Sequence, residues 1–459
     1  MPSASPSAPT LARRLPAAAL WLVGGRILGS VCTFGVLWQL ARRLDLEPFG
    51  RLTFYLAVLA VMGSLVDLGT GATIVQESSR HPERLAGLLR TGRRVRLACA
   101  AVGTALWTTW ALFAARADVP WVFASGAVCL SYSLELVAIP ARNRMHLRGP
   151  VLVRAATSLA TLLAITVCLQ LGVRAVGPLL FAWSASAAAG HVALYILLRH
   201  ELPDRAPAAA WRPFLRAALP LGIAALCQQL YFWVDNVFIR SAYGEDQLGL
   251  YNLPVRLFSF AILVAVLAPQ AALPWLSRSH HSAELTETLR RVTLPLWGLG
   301  ALAVGFLWPA GPHLLPVFGE SFRASLGVLR ILLAALFAVH VGALWVTTLI
   351  AMGAQNRVLQ LAWTGLVVNL VGNALLLGPL GIEGAAWATA ATEVWVAVAA
   401  AWGLARGGVD WRKTISGRAL LWLIGLAAFG ALLGSLSAPL WKHLQHSSLP
   451  VGLGTLPGS

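Results

Sequence analysis

Long apolar runs, each closed by a short polar or basic break, recur along the whole chain. By length they fall at about 16–40, 51–76, 96–115, 119–141, 152–172, 175–198, 212–239, 247–276, 291–312, 324–351, 355–378, 383–405 and 417–441. About 20 apolar residues in a helix reach across a bilayer. The pattern therefore predicts an all-α polytopic membrane protein with thirteen crossings. The first run follows Arg13 and Arg14, as in a secretory signal. It is too long for one, it contains Arg26, and no clean small-residue cleavage site follows. A first membrane helix behind a disordered tail at 1–15 is expected. The segment 442–459 is expected to be a tail too short to cross again.

The charged breaks alternate in strength. One face collects Arg80, Arg84, Arg90, Arg93, Arg94 and Arg96, then Arg142, Arg144, Arg148 and Arg154, and further arginines beyond. The other face holds far fewer, among them Arg42, Arg43 and Arg51. Lys and Arg gather in cytoplasmic loops, so the N-terminus is expected in the cytoplasm. Glu77–Arg96 spaces Leu85, Leu88 and Leu89 among arginines, which predicts a short amphipathic surface helix. Arg199–Phe214 is charged and rich in Pro and Ala, a natural boundary.

The chain repeats across that boundary. Glu47-Pro48-Phe49-Gly50 before a long run corresponds to Asp246-Gln247-Leu248-Gly249 before another. Same-sense repeats of six helices imply two lobes about an axis normal to the membrane. The expected division is an N-lobe at 16–200, a linker at 201–211, a C-lobe at 212–406 and an additional helix at 417–441. Pro269 and Pro274 fall in the eighth run, where they are expected to bend it. The matching Thr70 and Val75 are not prolines.

Composition agrees with a membrane solvent: 58% of residues are hydrophobic and 12% charged, with mean hydropathy +0.72. The net charge of +17 reflects basic loops, not a nucleic-acid surface, since no basic patch is interleaved with exposed aromatics. The five cysteines all lie in apolar runs, as buried side chains would. No phosphate-binding loop, nucleophile elbow or metal-ligand spacing occurs. No enzyme activity, metal or cofactor is expected.

Four stretches together carry a resemblance. They are LARRLDLEPFGRLTFYLAVLAVMGSLVDLGTGATIVQESSR, then LPLGIAALCQQLYFWVDNVFIRSAYGEDQLGLYNLPVRL with APQAALPWLSR, then LLPVFGESFRASLGVLRILLAALF, and LIAMGAQNRVLQLAWTGLVVNLVGNALLLGPLGIEGAAWATA. In order and spacing the chain resembles the Wzx-type lipid-linked oligosaccharide flippases of the multidrug/oligosaccharidyl-lipid/polysaccharide (MOP) superfamily. The resemblance implies MATE-like paired six-helix bundles around a cavity. It also implies an undecaprenyl-pyrophosphate-linked oligosaccharide as cargo, in O-antigen, capsule or exopolysaccharide synthesis. Polysaccharide polymerase and chain-length proteins are the implied partners, beside membrane lipids. The single run after the twelfth departs from the commoner forms.

Charges inside apolar runs are costly and usually face a cavity. Arg26 and Arg256 are such charges, and arginine offers phosphate a planar fork of donors. With the implied cargo, Arg26 and Arg256 are expected to clamp the pyrophosphate, with Arg51 as a third contact. The bland alternative for the first two is an ion pair with Asp67 or Asp235, and for Arg51 an interfacial anchor. Asp67, Glu135, Asp235 and Glu393 are candidate proton or Na⁺ coupling sites, or structural carboxylates. Gln228, Gln229, Tyr231 and Asn369, with Asn373, are expected to bind sugar hydroxyls or join helices. His191 and His340 are expected to pack or to hydrogen-bond between helices. A cation-coupled multidrug exporter or a lipid II flippase of the same superfamily is the alternative reading. A glycan polymerase or ligase is disfavoured by the short outer loops.

Overall fold

The computed structural model describes residues 8–114, 118–144, 146–203, 206–278, 282–414 and 417–446. These form α1 (Ala8–Arg43), α2 (Leu46–Asp67), α3 (Thr70–Arg80), α4 (Leu85–Ala114), α5 (Val119–Ser131), α6 (Ala138–Asn143), α7 (Arg148–Gln170) and α8 (Val176–Leu198). The chain continues as α9 (Trp211–Trp233), α10 (Asp235–Arg278), α11 (Ser282–Leu314), α12 (Leu326–Ala351), α13 (Gln355–Leu380), α14 (Ile382–Arg406), α15 (Gly417–Leu436) and α16 (Ala438–His446). Among the described residues there is no strand.

Eleven stretches are long and apolar enough to cross a membrane, one of them Trp211–Pro269 at 59 residues. As one helix it would reach about 90 Å, roughly three bilayer cores. Gly244, at φ +83°, divides it. Asp235 and Tyr251, on either side of Gly244, meet, as do Trp233 and Arg256. The stretch is a hairpin of two crossings. Counting the hairpin as two makes twelve such stretches among the described residues, and α1, at 36 residues, is a further helix long enough to cross.

The helices sort into two packed groups. In the first, α1 lies on α7, α7 on α8, and α5 on both α4 and α8. In the second, α12 and α13 lie on α14, α10 on α12, and α9 on α13. The groups meet chiefly where α2 runs along α10 and α9. At the weakly basic face α2 and α10 cross backbone to backbone. A Cβ on Gly50 would run into the Glu245 carbonyl oxygen, and one on Gly249 would stand 2.5 Å from that of Leu46. The repeated glycine thus makes a reciprocal contact, the close approach that small residues permit between membrane helices. One turn deeper, Asn252 donates to the Thr53 hydroxyl at 2.9 Å.

Several expected boundaries are corrected. Residues 8–15, expected as tail, are the first turns of α1, whereas residues 1–7 and 447–459 lie outside the described residues. The run at 51–76 is two helices, broken where Leu68 (φ +42°) and Gly69 (φ +74°) both turn left-handed. Asp67 stabilises the break by accepting from the Gly69 and Gly71 amides. The amphipathic surface helix expected at Glu77–Arg96 is not separate, because α4 starts at Leu85 and runs on into the crossing. Leu88 and Leu89 are buried against Ile74 and Phe214, so the leucine spacing marks a protein-facing stripe. The 119–141 run passes through a 3-10 segment, Tyr132–Val137, that carries Glu135. The last run ends at Leu436, and α16 follows as its own short helix. Within α10 the backbone stays helical through Pro269 and Pro274. Nothing is described of the Pro274 side chain.

α15 packs along α11 through small residues. A Cβ on Gly430 would stand 2.5 Å from the Leu302 carbonyl oxygen, and Gly298 faces the Trp422 ring. The far face of α15, with Leu421 and Leu436, is exposed apolar surface. α16 spans both groups. Arg42 at the end of α1 donates to the Leu444 and Gln445 carbonyls, and Gln445 donates to Glu320.

Candidate functional site

Gly249, Asn252 and Arg256 lie on one stripe of α10, at the i, i+3, i+7 spacing that shares a helix face. The first two touch α2, so Arg256 lies one turn beyond Asn252 on the face of α10 turned toward α2, beneath the crossing. Its guanidinium lies 4.5 Å from the centre of the Trp233 ring. Nε and Nη2 are buried without a hydrogen-bond partner. No ion pair to Arg256 forms among the described residues, so the expected alternative of a pair with Asp235 is not what the structure holds. A cation–π contact compensates a desolvated arginine only in part. The site is a positive charge with donors unspent.

Asp235 lies on the neighbouring wall and is 1% exposed. It accepts from the Tyr251 hydroxyl, from Asn373 at 2.7 Å and from Thr389 at 2.7 Å. These partners come from α10, α13 and α14, and none is cationic. Asn369 Nδ2 and Asn373 Oδ1, both in this cluster, are buried and unpartnered. Asn369 is thus buried inside the group of helices, where it joins helices, the second of the two roles expected of it. Glu393, one turn along α14 from Thr389, is also buried, next to Tyr231 and Thr392.

The other two carboxylates are paired with bases. Arg96 is 5% exposed. It binds Asp67, the Thr70 hydroxyl at 2.8 Å and the Tyr132 carbonyl at 2.9 Å. Glu135 meets Arg154 at 3.2 Å, His191 Nε2 at 3.3 Å and Arg96 at 4.0 Å. His191 is tied through Nδ1 to Ser131 at 2.8 Å, a hydrogen bond between α8 and α5. His340 packs as expected, its Nδ1 against the Leu336 carbonyl. Asp67 is thus structural: it caps the α2–α3 break and neutralises a buried arginine. Asp67→Ala should lower stability by about 1.5–3 kcal/mol, the loss of a charged hydrogen bond, since Arg96 keeps Glu135 at 4.0 Å. Thermal unfolding of the purified protein checks this, and an unchanged midpoint would refute it.

Arg51 is placed otherwise than expected. It binds Glu47, lies 2.5 Å from Glu245 and 3.9 Å from Asp118, while Arg240 holds Glu245 at 2.7 Å. Its donors are spent on carboxylates from both helix groups, so it ties the crossing together at the surface. Arg26 is exposed on α1, with no hydrogen bond or ion pair among the described residues. Counted along the helices, Arg26 sits about 25 Å from the Arg43 end and Arg256 about 17 Å from Glu245. The two arginines stand on different walls at different depths. Gln229 on α9 reaches the Ala60 carbonyl on α2 at 3.5 Å. Gln228 is exposed beside buried Tyr231. Sequence reading missed Trp233, Tyr251 and Thr389, whose apolar surroundings gave no signal. It also counted Arg96 and Arg154 among loop charges. Among the described residues no group of His, Cys, Asp and Glu is arranged to hold a metal ion.

These features define a multi-pass helical membrane protein of two packed helix groups, with a partnerless arginine beneath the place where they cross. The architecture is similar to that of a solved lipid II flippase, MurJ, in an inward closed conformation: TM-score 0.68, 13% identity, covering 93% of this chain and 98% of that one. An outward-facing MATE multidrug resistance transporter of the MOP superfamily matches with TM-score 0.65 and 15% identity, over 87% of this chain and 97% of its own. The Vibrio cholerae MATE transporter VcmN matches with TM-score 0.61 and 15% identity, over 88% and 99%. At these identities the likeness is one of fold. Comparison with curated proteins gives no match. The chain belongs to the polysaccharide biosynthesis protein family, whose model matches residues 16–280.

Proposed function

We propose that this protein is a flippase, not an enzyme, moving an undecaprenyl-pyrophosphate-linked oligosaccharide across a bacterial inner membrane for surface polysaccharide synthesis. One observation carries the reading: the partnerless guanidinium of Arg256 beneath the crossing of the helix groups. Arginine keeps its charge when desolvated and binds phosphate oxygens with paired donors. The pyrophosphate docks there after passing Arg26, while the polyprenyl chain stays in lipid. The two groups act as lobes, roughly 16–200 and 212–406, and rock about the α2–α10 crossing. The N-terminus is cytoplasmic, by the arginine asymmetry. A polymerase and a chain-length protein receive the product on the outer face. A drug exporter for organic cations is disfavoured, since Arg256 would repel its cargo. Lipid II as cargo shares the same pyrophosphate chemistry. Proteoliposomes carrying fluorescent lipid-linked glycans test this: glycan should reach the far leaflet only when the protein is present. No movement of any pyrophosphate-linked glycan would overturn the reading.

For coupling, Asp235 is the candidate best supported of the four carboxylates. It is buried, has no basic partner, and is ringed by oxygen and amide groups with unspent valence. Asp235→Asn should fold but lose the response of transport to an imposed proton or sodium gradient. Transport by Asp235→Asn that still accelerates with a gradient excludes it.

A further inference from the structure

Arg154 is the one arginine of the Glu135 cluster that leans outward. Its side chain is 61% exposed, against 6% for Arg96 on the same carboxylate. It sits in the second turn of α7, near the basic face, where α1 packs on α7. The packing register is fixed by two glycines: Gly25 abuts Val151, and a Cβ on Gly29 would stand 3.3 Å from Ser158 Oγ. Arg154 lies between Val151 and Ser158 on that stripe, and Arg26 is next to Gly25. Arg154 is close enough to Arg26 for the two charges to repel. Arg26 has no counter-ion among the described residues, while Arg154 has only Glu135, at 3.2 Å.

Glu135 does not depend on Arg154. His191 at 3.3 Å and Arg96 at 4.0 Å also face it. Arg154 can therefore leave without stranding a carboxylate, and turning toward Arg26 is unfavourable unless an anion lies between them. We propose that Arg26 and Arg154 form a docking site for a lipid-borne phosphate group on the α1–α7 wall, at a depth nearer the basic face than Arg256. Glu135 is the resting counter-ion that Arg154 exchanges for cargo. Arg154 binds the anion, and Glu135 and His191 position it. This rests on the reading of the cargo as an anionic lipid, and adds to it a first contact made before Arg256.

The test is binding of farnesyl pyrophosphate to the purified full-length protein in nanodiscs, followed by tryptophan fluorescence. Inorganic pyrophosphate and phosphatidylglycerol serve as competitors. Arg154→Ala should weaken binding about tenfold or more, and Arg154→Lys should recover part of it. Glu135→Gln should tighten binding, because it removes the competing carboxylate. A purely structural Arg154–Glu135 pair predicts the opposite, namely that both changes weaken binding together. If Arg256→Ala loses binding while Arg154→Ala binds like the parent, this inference fails and the anionic-cargo reading stands. If the unaltered protein binds no farnesyl pyrophosphate, both fail. Equal affinity for inorganic pyrophosphate overturns the lipid-borne assignment. Competition by phosphatidylglycerol that Arg154→Ala abolishes identifies a general headgroup site at the same two arginines, and supports the proposal with phospholipid as a source.

Discussion

Arg256→Ala is expected to lower transport of lipid-linked glycan by about 10- to 100-fold while leaving the protein folded and inserted. A hydrogen bond to a charged group is worth about 1.5–3 kcal/mol, and losing one such contact in the rate-limiting state gives that range. The stability half follows from the same geometry. The guanidinium has two buried nitrogens without partners and no ion pair among the described residues, so removing it strands nothing. Thermal unfolding should be unchanged or slightly raised in Arg256→Ala, the reverse of the result expected for Asp67→Ala. Arg256→Lys should keep part of the transport, since a point charge remains but the planar fork is lost. Flipping in proteoliposomes and surface polysaccharide in cells are the two readouts. Transport by Arg256→Ala at the parental rate would remove this arginine from the mechanism.

The second large effect is expected at the crossing. Gly50→Val places branched methyl groups where the Glu245 carbonyl already stands, and Gly249→Val does the same toward Leu46. Overpacking of this kind costs about 1–3 kcal/mol when neighbours give way. Here the neighbours are backbone, and the Arg51–Glu245 and Asn252–Thr53 contacts lie beside them. Each variant should lose stability and leave the weakly basic face unable to close. A cysteine at Thr53 should become reactive to a membrane-impermeant maleimide added from that side in Gly249→Val, and stay protected in the parent. Equal protection in both would show that the crossing is not the seal.

How much of this was legible depends on where each partner lies in the chain. Membrane helices follow from apolar length alone, so the crossings were readable. The Glu47–Gly50 and Asp246–Gly249 repeat could be read from local composition, and it marked the two sides of the crossing. Arg256 stood out because charge in an apolar run is costly wherever the run folds. What was not legible came from partners far apart in sequence. Arg51 looked like a free interfacial arginine until Glu245, 194 residues away, closed on it. Asp235 and Asp67 looked alike as carboxylates in spans. Arg96, 29 residues on, pairs with one, while the other finds only hydroxyls and amides 16 to 154 residues on. The leucines after Glu77 read as amphipathic for a sound reason, but periodicity cannot say whether the apolar stripe meets lipid or protein.

The reciprocal glycine crossing has a mechanical consequence. A fulcrum near one end of a long rod multiplies displacement at the other. From Gly249 it is about 10 Å along the helix to Arg256 and about 44 Å to Arg278. A swing of about 10° then shifts the first by roughly 2 Å and the second by roughly 8 Å. The arginine keeps its place while the far end of the rod sweeps through the width of a sugar ring. Under the proposed rocking, a lever of these proportions separates two tasks: holding one small charged group firmly, and making room for a bulky chain attached to it.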